Sequence, residues 1–405
     1  MDNIAGSPVE GENFFGREAV VKHLCEQLYN GDILLLGPRR IGKTSTARAV
    51  MVAVREQGWQ TLEINVASCV SERDFLEKLG STLSLELSSF PEKIKNTIID
   101  PLASISKRIQ SVNIGDFGVS LEKKGSEDWT SVGCEVLQLI AQAKDRWLIY
   151  MDELPIMLYN IIRNDPQTGI QRVRRFLDWF RNDVRALPKS HRVRWLISGS
   201  IGLDTLVQEH GMADTINSLS HEGLEPFSDE TALKMLNKLA NRYNITLSEQ
   251  DGENILAAVQ WSQPYYLQMI FNHLRELIAV GSTGDLSKLI PRAVDKMVRP
   301  GGDNDFHHWG DRLRQQLNTT DAGHALALLN LAAHDPNGIR PEVLLSKLQE
   351  RMSNHTSDET KRTFVRLRDI FLRDAYWQVN ETDSIRRYQF CLEPLRLWWV
   401  RRDTL

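Results

Sequence analysis

Short apolar runs recur through the first half of the chain. They predict strands at Ile33–Leu36, Gln60–Val66, Trp147–Met151 and Arg192–Ser198, with a fifth inside Leu219–Phe227. The continuously apolar runs are typical of strands buried on both faces of a parallel sheet, and segments with helical periodicity separate them. The pattern therefore predicts a doubly wound parallel α/β sheet, whose ligand site lies at the carboxyl ends of the strands.

The second half of the chain has a different pattern, because helical periodicity dominates from Ser228 onward. Helices are predicted at residues 229–242, 248–260, 264–280, 285–298, 321–333, 339–351 and 358–373. After them, Tyr376–Val379 and Arg387–Phe390 flank a polar turn, which is typical of a β-hairpin. Three helices followed by a hairpin predict a winged helix at the end of the chain.

The composition of the 405 residues is that of a soluble globular protein, with 41% hydrophobic and 25% charged residues. No run approaches the ~18 to 20 apolar residues that span a bilayer, and the first residues lack the features of a signal peptide. The four cysteines are scattered, which argues against a thiolate zinc cluster. We therefore expect a cytoplasmic protein without a membrane partner. The net charge of −4 gives no global attraction for nucleic acid.

A glycine-bearing loop follows the first predicted strand and precedes a run that is compatible with a helix. The segment reads Gly37-Pro38-Arg39-Arg40-Ile41-Gly42-Lys43-Thr44-Ser45. Its first eight residues fit the pattern G-x-x-x-x-G-K-[ST]. A strand, loop and helix in this order direct backbone N–H groups at one spot and form an anion site. We expect this P-loop to bind ATP, with Lys43 reaching the β- and γ-phosphates and the Thr44 hydroxyl binding Mg²⁺.

Two carboxylates, Asp152 and Glu153, end the apolar strand Trp147–Met151. An Asp at the end of a strand beside the P-loop strand is the position of a Walker B carboxylate, which holds Mg²⁺. A Glu directly after it is placed to orient and deprotonate the attacking water. The pair is ambiguous alone, but together with the P-loop it predicts an ATPase in which Asp152 binds metal and Glu153 is catalytic.

The motifs together resemble the archaeal-type ATPase family, in the STAND and AAA+-like branch of the P-loop ATPases. The matching segments follow the family's order: Asn13–Glu18 (FxGRE box), Gly37–Ser45 (double-arginine P-loop), Asp152–Pro155 (Walker B), Ile197–Ser200 (sensor 1), Leu224–Ser228 (LxPFS turn), Ser262–Gln268 (GxPxYLQ lid motif), and Tyr388–Phe390 with Pro394–Trp399 (winged helix). Each motif is weak alone, but this order is specific. The resemblance covers nearly the whole chain except an insertion near residues 86–128, where residues 117–124 have hairpin character.

The resemblance implies roles for further residues. Phe15, Gly16 and Arg17 would lie against the adenine, and Pro264 would close over the base or ribose. Ser200, and less favourably Ser198, would contact the γ-phosphate or the attacking water. The chain departs from the family at the lid motif, because Ser262-Gln263 replaces the usual glycine.

Pattern and resemblance together predict the domain organisation. We expect a flexible lead over residues 1–11, a P-loop ATPase core over 12–227, a helical lid over 228–302 and a winged-helix domain over 303–405.

No arginine occurs from Trp195 through Asn241, where hexameric AAA+ machines carry an arginine finger. The arginines before the fourth strand are Arg172, Arg174, Arg175, Arg181 and Arg185. One of them could act as a finger on assembly. The favoured interpretation is the solvated face of an amphipathic helix, which predicts slow intrinsic hydrolysis.

The resemblance implies an ATP-binding, slowly hydrolysing switch, in which ATP with Mg²⁺ sets the packing of the lid and the winged helix. Its partner would be an effector protein of a prokaryotic defence or conflict system. A homo-oligomer that forms in response to nucleotide is compatible with this switch. One alternative is an ATP-dependent DNA-binding regulator, akin to initiator or transposition ATPases. Its DNA contacts would come from the third helix of the winged helix, through Lys361, Arg362, Arg366 and Arg368. Further basic residues of this domain add charge: Arg386, Arg387, Arg396, Arg401 and Arg402. A second alternative is a nucleotide-binding scaffold without turnover.

Overall fold

The computed structural model describes residues 1–88, 101–105, 107–108, 112–113, 127–199, 202–281, 285–299, 306–382 and 385–403. The chain divides into two units. The sheet unit comprises Arg17–Leu36 and Lys43–Gly223, and the helical unit comprises Met1–Gly16, Gly37–Gly42 and Leu224–Leu405. Of the described helices, none has the length and apolar character needed to cross a membrane. The predicted hairpin at 117–124 and Ser200 lie outside the described residues.

A parallel sheet organises the sheet unit. The strands of this unit are β1 Asp32–Leu36, β2 Gln60–Asn65, β3 Val112–Asn113, β4 Glu127–Asp128, β5 Trp147–Asp152, β6 Val193–Ser198 and β7 Leu219–Gly223. One five-stranded sheet has the order β2-β5-β6-β1-β7 with every pairing parallel, and β3 pairs separately with β4. The predicted α/β fold class is therefore confirmed. Because β6 lies between β5 and β1, its end separates Asp152 from the P-loop strand.

Helices cover the sheet, as the separation of the apolar runs predicts. They are α1 Glu18–Leu28, α2 Lys43–Glu56, α3 Glu72–Ser88, α4 Trp129–Gln142, α5 Leu154–Asn164, α6 Gly169–Asp178 and α7 Leu203–Glu209. A π-helical turn continues α6 over Trp179–Asp183. Every residue of β5 is buried, as expected of a parallel strand with both faces covered. On one face an aromatic cluster packs edge to face, with Phe75 and Phe176 centroids 5.2 Å apart.

The helical unit contains the predicted all-α segment and the predicted winged helix. Its helices are α8 Asp229–Arg242, α9 Glu249–Val259, α10 Pro264–Ala279, α11 Leu286–Met297, α12 His307–Gln316, α13 Thr319–Ala333, α14 Pro341–Arg351, α15 Ser357–Arg373 and α16 Glu393–Asp403. The antiparallel hairpin of β8 Trp377–Thr382 and β9 Ile385–Phe390 follows α15. The order of three helices α13 to α15 and a hairpin is the one that the sequence pattern predicts.

Helices α12 and α16 were not predicted. In α12 the buried apolar side chains are those of Trp309 and Leu313, which lie one turn apart. The residues around them are mostly polar. In α16 apolar and basic residues are mixed around the helix, yet Leu395, Trp398 and Trp399 are buried. Neither segment has a clear apolar stripe, so the helices depend on tertiary packing that local periodicity does not contain.

The first residues of the chain have specific partners in the helical unit. The backbone N–H of Asn3 donates to the Tyr243 hydroxyl at 3.0 Å. The N–H of Ile4 donates to Oε1 of Gln268 at 2.8 Å. Asp2 forms an ion pair with Arg242 at 3.0 Å. The mobility expected for residues 1–11 stays a prediction, and these contacts identify the bonds that such mobility must break.

Candidate functional site

The P-loop backbone is held in conformations that direct its N–H groups. Gly37, Arg40 and Gly42 have φ values of 146°, 66° and 103°. A Cβ at Gly37 would lie 3.1 Å from Cγ2 of Ile41 and 3.2 Å from the Leu224 carbonyl oxygen, so only glycine fits there. A left-handed conformation at a non-glycine residue such as Arg40 costs about 1–2 kcal/mol. Anion-binding nests form from successive N–H groups in turn conformations that include such positive φ values.

Lys43 and Thr44 open α2 directly after the loop. The first N–H groups of a helix have no partner within the helix and carry partial positive charge, which favours a phosphate at this end. Lys43 is buried, with 8% of its surface exposed. Its position at the helix start fits a phosphate ligand, because that end of a helix binds anions.

Asp152, at the end of β5, accepts hydrogen bonds from two hydroxyls of the sheet unit. Thr44 Oγ1 donates to its Oδ2 at 3.2 Å, and Ser198 Oγ donates to its Oδ1 at 2.5 Å. The carboxylate is 7% exposed. The structure thus brings together Thr44 and Asp152, the two residues predicted to bind metal, and adds Ser198 from the end of β6.

The oxygens of Thr44 and Asp152 fit a magnesium ion, because carboxylate and hydroxyl oxygens are the hard ligands that Mg²⁺ takes from a protein. The hydroxyl hydrogen of Thr44 already points to Asp152, so a lone pair of Thr44 Oγ1 stays available for the metal. Magnesium usually keeps waters and binds through few protein groups plus substrate phosphates. One carboxylate and one hydroxyl beside a P-loop match that requirement.

Tyr150 belongs to the same cluster, although the sequence analysis did not select it. Its hydroxyl lies 3.0 Å from Ser198 Oγ. Because Ser198 gives its hydrogen to Asp152, Tyr150 must donate to Ser198. Burial, and next the charge of Asp152, raise the pKa of Tyr150 well above its ordinary value, so the hydroxyl remains a donor. The i, i+2 spacing of Tyr150 and Asp152 on one strand face is the signal that could have identified it.

Glu153 has a strained backbone at the predicted catalytic position. Its φ of 64° and ψ of 33° are left-handed, and it is the N-cap of α5. Its N–H donates to the Ser198 carbonyl oxygen at 2.9 Å. Non-glycine residues in this region cluster at functional sites, where the surrounding structure maintains a strain of about 1–3 kcal/mol. Glu153 is partly exposed.

The residues expected near the adenine lie in both units. In the helical unit, Phe15 packs edge to face on Phe227, with centroids 6.4 Å apart. Gly16 has a φ of 74°, and a Cβ there would lie 2.6 Å from Cγ2 of Thr231. Pro264 is the first residue of α10.

A hydrogen bond of 3.0 Å from the Phe227 N–H to the Ser262 carbonyl oxygen joins the LxPFS turn to the lid motif. In the sheet unit, Arg17 is buried. Contact of Phe15, Gly16, Arg17 and Pro264 with a base stays a prediction, as do the roles of the other site residues.

The arginine group before the fourth strand is engaged with carboxylates of the sheet unit. Arg172 is buried and pairs with Glu72 and Asp165, so it is not part of a solvated face. The other pairs are Arg174 with Asp178 and Asp214, Arg175 with Asp128, Arg181 with Asp214, and Arg185 with Asp32. These pairs favour a structural role over an arginine finger.

The basic residues of the winged helix are in part neutralised. Their ion pairs are Arg366 with Asp321, Arg368 with Asp369 and Arg386 with Glu381. Lys361 and Arg362, on the first half of α15, are exposed. Their positions leave two cations of the predicted recognition helix facing solvent.

Comparison with known proteins identifies the fold. No family model and no curated protein matches the sequence. The Walker-type ATPase PABY2304 of Pyrococcus abyssi is similar, with a TM-score of 0.63 and 15% identity over 99% of this chain and 100% of that one. The Aeropyrum pernix ORC2 protein, solved in ADPNP–ADP complexes, has a TM-score of 0.55 and 13% identity over 97% of each chain. The chain therefore has the fold of archaeal P-loop ATPases of the Walker and ORC types, in agreement with the resemblance that the motifs give.

Proposed function

We propose that this protein binds Mg·ATP at the P-loop and hydrolyses it slowly, so that the nucleotide state sets the packing of the helical lid and winged helix. The observation that carries the proposal is the cluster at Asp152, where hydroxyls of Thr44 and Ser198 converge on one buried carboxylate. A partner effector protein would respond to the change. The fold shared with a Walker-type ATPase supports the nucleotide part of the proposal.

Each residue of the site has a chemical role in this proposal. The loop N–H groups and the Lys43 ammonium bind the β- and γ-phosphates, while Thr44 and Asp152 would hold the metal. A bound magnesium ion would offset charge on the phosphate oxygens. Ser198 fixes the orientation of the Asp152 carboxylate. Glu153 accepts the proton of the attacking water, and Ser200 would contact the γ-phosphate or that water.

A slow rate follows from the missing arginine finger, a group that contributes about 10³–10⁵ to the rate in enzymes that have one. The arginines before β6 are paired with carboxylates, so none of them replaces the finger without first losing an ion pair. A steady-state turnover above about 10 per second, an ordinary enzyme rate, would contradict the slow switch.

Substitution of Glu153 by Gln tests the catalytic assignment. Glutamine keeps the size of the side chain but cannot accept the proton, so hydrolysis should fall by about 10²-fold or more while ATP binding persists. The measurement is single-turnover release of phosphate, with ATP affinity measured on the same preparation. Hydrolysis at the wild-type rate in Glu153→Gln would remove Glu153 from the mechanism. Absence of any hydrolysis in the wild type would favour the scaffold without turnover.

ATP-dependent DNA binding is a second candidate function. It is favoured by the exposed Lys361 and Arg362 on α15, the third helix of the winged helix. The ion pairs of Arg366, Arg368 and Arg386 count against it, because they neutralise much of the same basic surface.

A further inference from the structure

Residues of the lid motif contact the P-loop within the helical unit. Gln263 Nε2 donates to the carbonyl oxygen of Arg39 at 2.7 Å. The guanidinium of Arg40 lies over the ring of Tyr265, 4.1 Å from its centroid. An aromatic ring of the lid is therefore one partner of the Arg40 side chain.

The bond from Gln263 sets the direction of one loop N–H. The peptide that joins Arg39 to Arg40 is planar and trans, so its C=O and N–H point in opposite directions. When Gln263 holds the Arg39 carbonyl outward, the Arg40 N–H is directed to the other side of the loop. Arg40 also has a left-handed φ of 66°, a strained conformation that persists only where the surrounding structure maintains it. Gln263 contacts the peptide that precedes Arg40, and Tyr265 contacts the Arg40 side chain.

Gln263 carries a cost that an apolar residue would avoid. The side chain is fully buried, and within the described structure its Oε1 has no hydrogen-bond partner. A buried acceptor without a partner costs about 1–3 kcal/mol. Gln263 is also the N-cap of α10, yet its side chain makes no capping bond. Among the described residues, the one hydrogen bond of its side chain goes to the P-loop, so stability of the lid does not account for this side chain.

Buried aromatic residues continue from this contact into the winged helix. Tyr265 packs on Tyr266, with centroids 4.9 Å apart. The Tyr266 hydroxyl accepts a hydrogen bond from Trp309 Nε1 at 2.8 Å, and the Trp309 carbonyl oxygen accepts one from the Tyr376 hydroxyl at 2.6 Å. Tyr376 directly precedes β8. Three elements, α10, α12 and the hairpin, are thus joined by buried hydrogen bonds that lock their relative positions.

We propose that Gln263 and Tyr265 are positioning residues of the P-loop, and that Tyr266 and Trp309 pass a change in the loop to the winged helix. This inference rests on the proposed function, because it assumes that phosphate binds the loop. Binding of phosphate moves the Arg39–Arg40 peptide, which changes the contacts of Gln263 and Tyr265. The first turn of α10 then shifts the hydrogen bond between Tyr266 and Trp309.

The experiment measures ATP affinity and the environment of Trp309 together. The full chain is labelled with 5-fluorotryptophan, and the fluorine resonance of Trp309 is assigned by its loss in Trp309→Phe. The change in that resonance on addition of Mg·ATP is recorded for the wild type, Gln263→Met and Tyr265→Leu. Calorimetry gives the affinity of each protein. Gln268→Met is the matched control, because Gln268 is a buried glutamine on α10 whose side chain accepts a hydrogen bond from the Ile4 N–H.

The wild-type Trp309 resonance should shift with Mg·ATP. In Gln263→Met and Tyr265→Leu the shift should be lost and the affinity should fall by about five- to tenfold, as expected for one lost hydrogen bond or stacked cation. Gln268→Met should behave as the wild type. Arg40→Lys keeps the charge and leaves the buried lid intact. It should weaken the Trp309 response even if a lid variant fails to fold.

The outcomes separate this inference from the proposed function. A wild type that binds Mg·ATP without any change at Trp309 would overturn the inference alone. The inference would also be overturned if the Trp309 resonance of Gln263→Met and Arg40→Lys shifted with Mg·ATP as it does in Gln268→Met. A wild type that binds no Mg·ATP would overturn the proposed function, and the inference with it.

Discussion

Asp152 is held by hydroxyls on both oxygens, and this arrangement determines how the carboxylate can meet a metal. Thr44 bonds to Oδ2, and Tyr150 supports Ser198, which bonds to Oδ1. A carboxylate fixed by such partners is oriented before the metal arrives. Ser198 thus lies within hydrogen-bond distance of Asp152, whereas the family resemblance favoured Ser200 for contact with the γ-phosphate or the attacking water.

Removal of the Ser198 hydroxyl should weaken the dependence of ATP binding on magnesium. In Ser198→Ala, Asp152 loses one of its two hydroxyl donors and is free to rotate. The Mg²⁺ concentration for half-maximal ATP binding should rise by about five- to tenfold, the effect of one hydrogen bond. Titration of Mg²⁺ at fixed ATP measures it. Ser220→Ala is the control, since Ser220 on β7 also donates to a carboxylate, Glu222. Equal effects of both substitutions would exclude a specific role of Ser198.

The sequence predicts the residues proposed to bind the metal better than the residues that hydrogen-bond to them. Thr44 and Asp152 follow from motifs, because the chemistry demands these residue types at a strand end and a helix start. Tyr150 was missed, since a tyrosine inside an apolar strand looks like core. Its role depends on strand β6, which places Ser198 beside it. The two residues are 48 positions apart in the chain. Such pairings are set by the sheet and are absent from local sequence.

At the scale of elements, the FxGRE box depends on a glycine that packs against α8. Gly16→Ala combines a left-handed φ with a Cβ 2.6 Å from Thr231. Gly11→Ala has a left-handed φ of 55° with no atom within 4 Å, so it isolates the backbone cost. We expect Gly16→Ala to lower the free energy of unfolding by about 1–3 kcal/mol more than Gly11→Ala does. Urea denaturation measures both, and equal losses would contradict the close packing at Gly16.

Helix α15 decides the DNA alternative. Lys361 and Arg362 are exposed, whereas Arg366 pairs with Asp321 at 2.6 Å. If α15 contacts DNA, Lys361→Ala with Arg362→Ala should weaken duplex binding and lower the slope of log affinity against log salt by about 2, one phosphate contact for each cation. Filter binding across a salt series measures the slope. Wild-type protein without salt-dependent binding would exclude this surface as a DNA contact.

The strands and most helices were predictable because their apolar periodicity matches their burial. β5 is the clearest case, with an apolar run that is buried throughout. Helices α12 and α16 escaped prediction because their buried residues, such as Trp309 and Trp399, find partners far away in the chain. Trp399 Nε1, for example, donates to Asn330 Oδ1 on α13. Tertiary contacts rather than local pattern make these segments helical.

At the scale of the whole molecule, the division into units places Gly37–Gly42 in the helical unit, although β1 and α2 belong to the sheet unit. The loop that we propose to bind phosphate therefore belongs to the same unit as the lid and the winged helix. A switch requires a ligand that interacts differently with two states of the protein. Within the helical unit, the contacts of Gln263 with the Arg39 carbonyl and of Arg40 with Tyr265 connect the P-loop to the lid. We propose that phosphate binding changes these contacts.

Binding of Mg·ATP to the folded chain tests the central claim most directly. Isothermal titration calorimetry of the wild type should give saturable binding at one site that weakens when EDTA removes Mg²⁺. Lys43→Ala should lose at least about tenfold in affinity, since a charge-assisted contact with phosphate contributes about 1.5–3 kcal/mol. Wild-type protein that is folded by circular dichroism yet shows no binding heat with Mg·ATP would contradict the account.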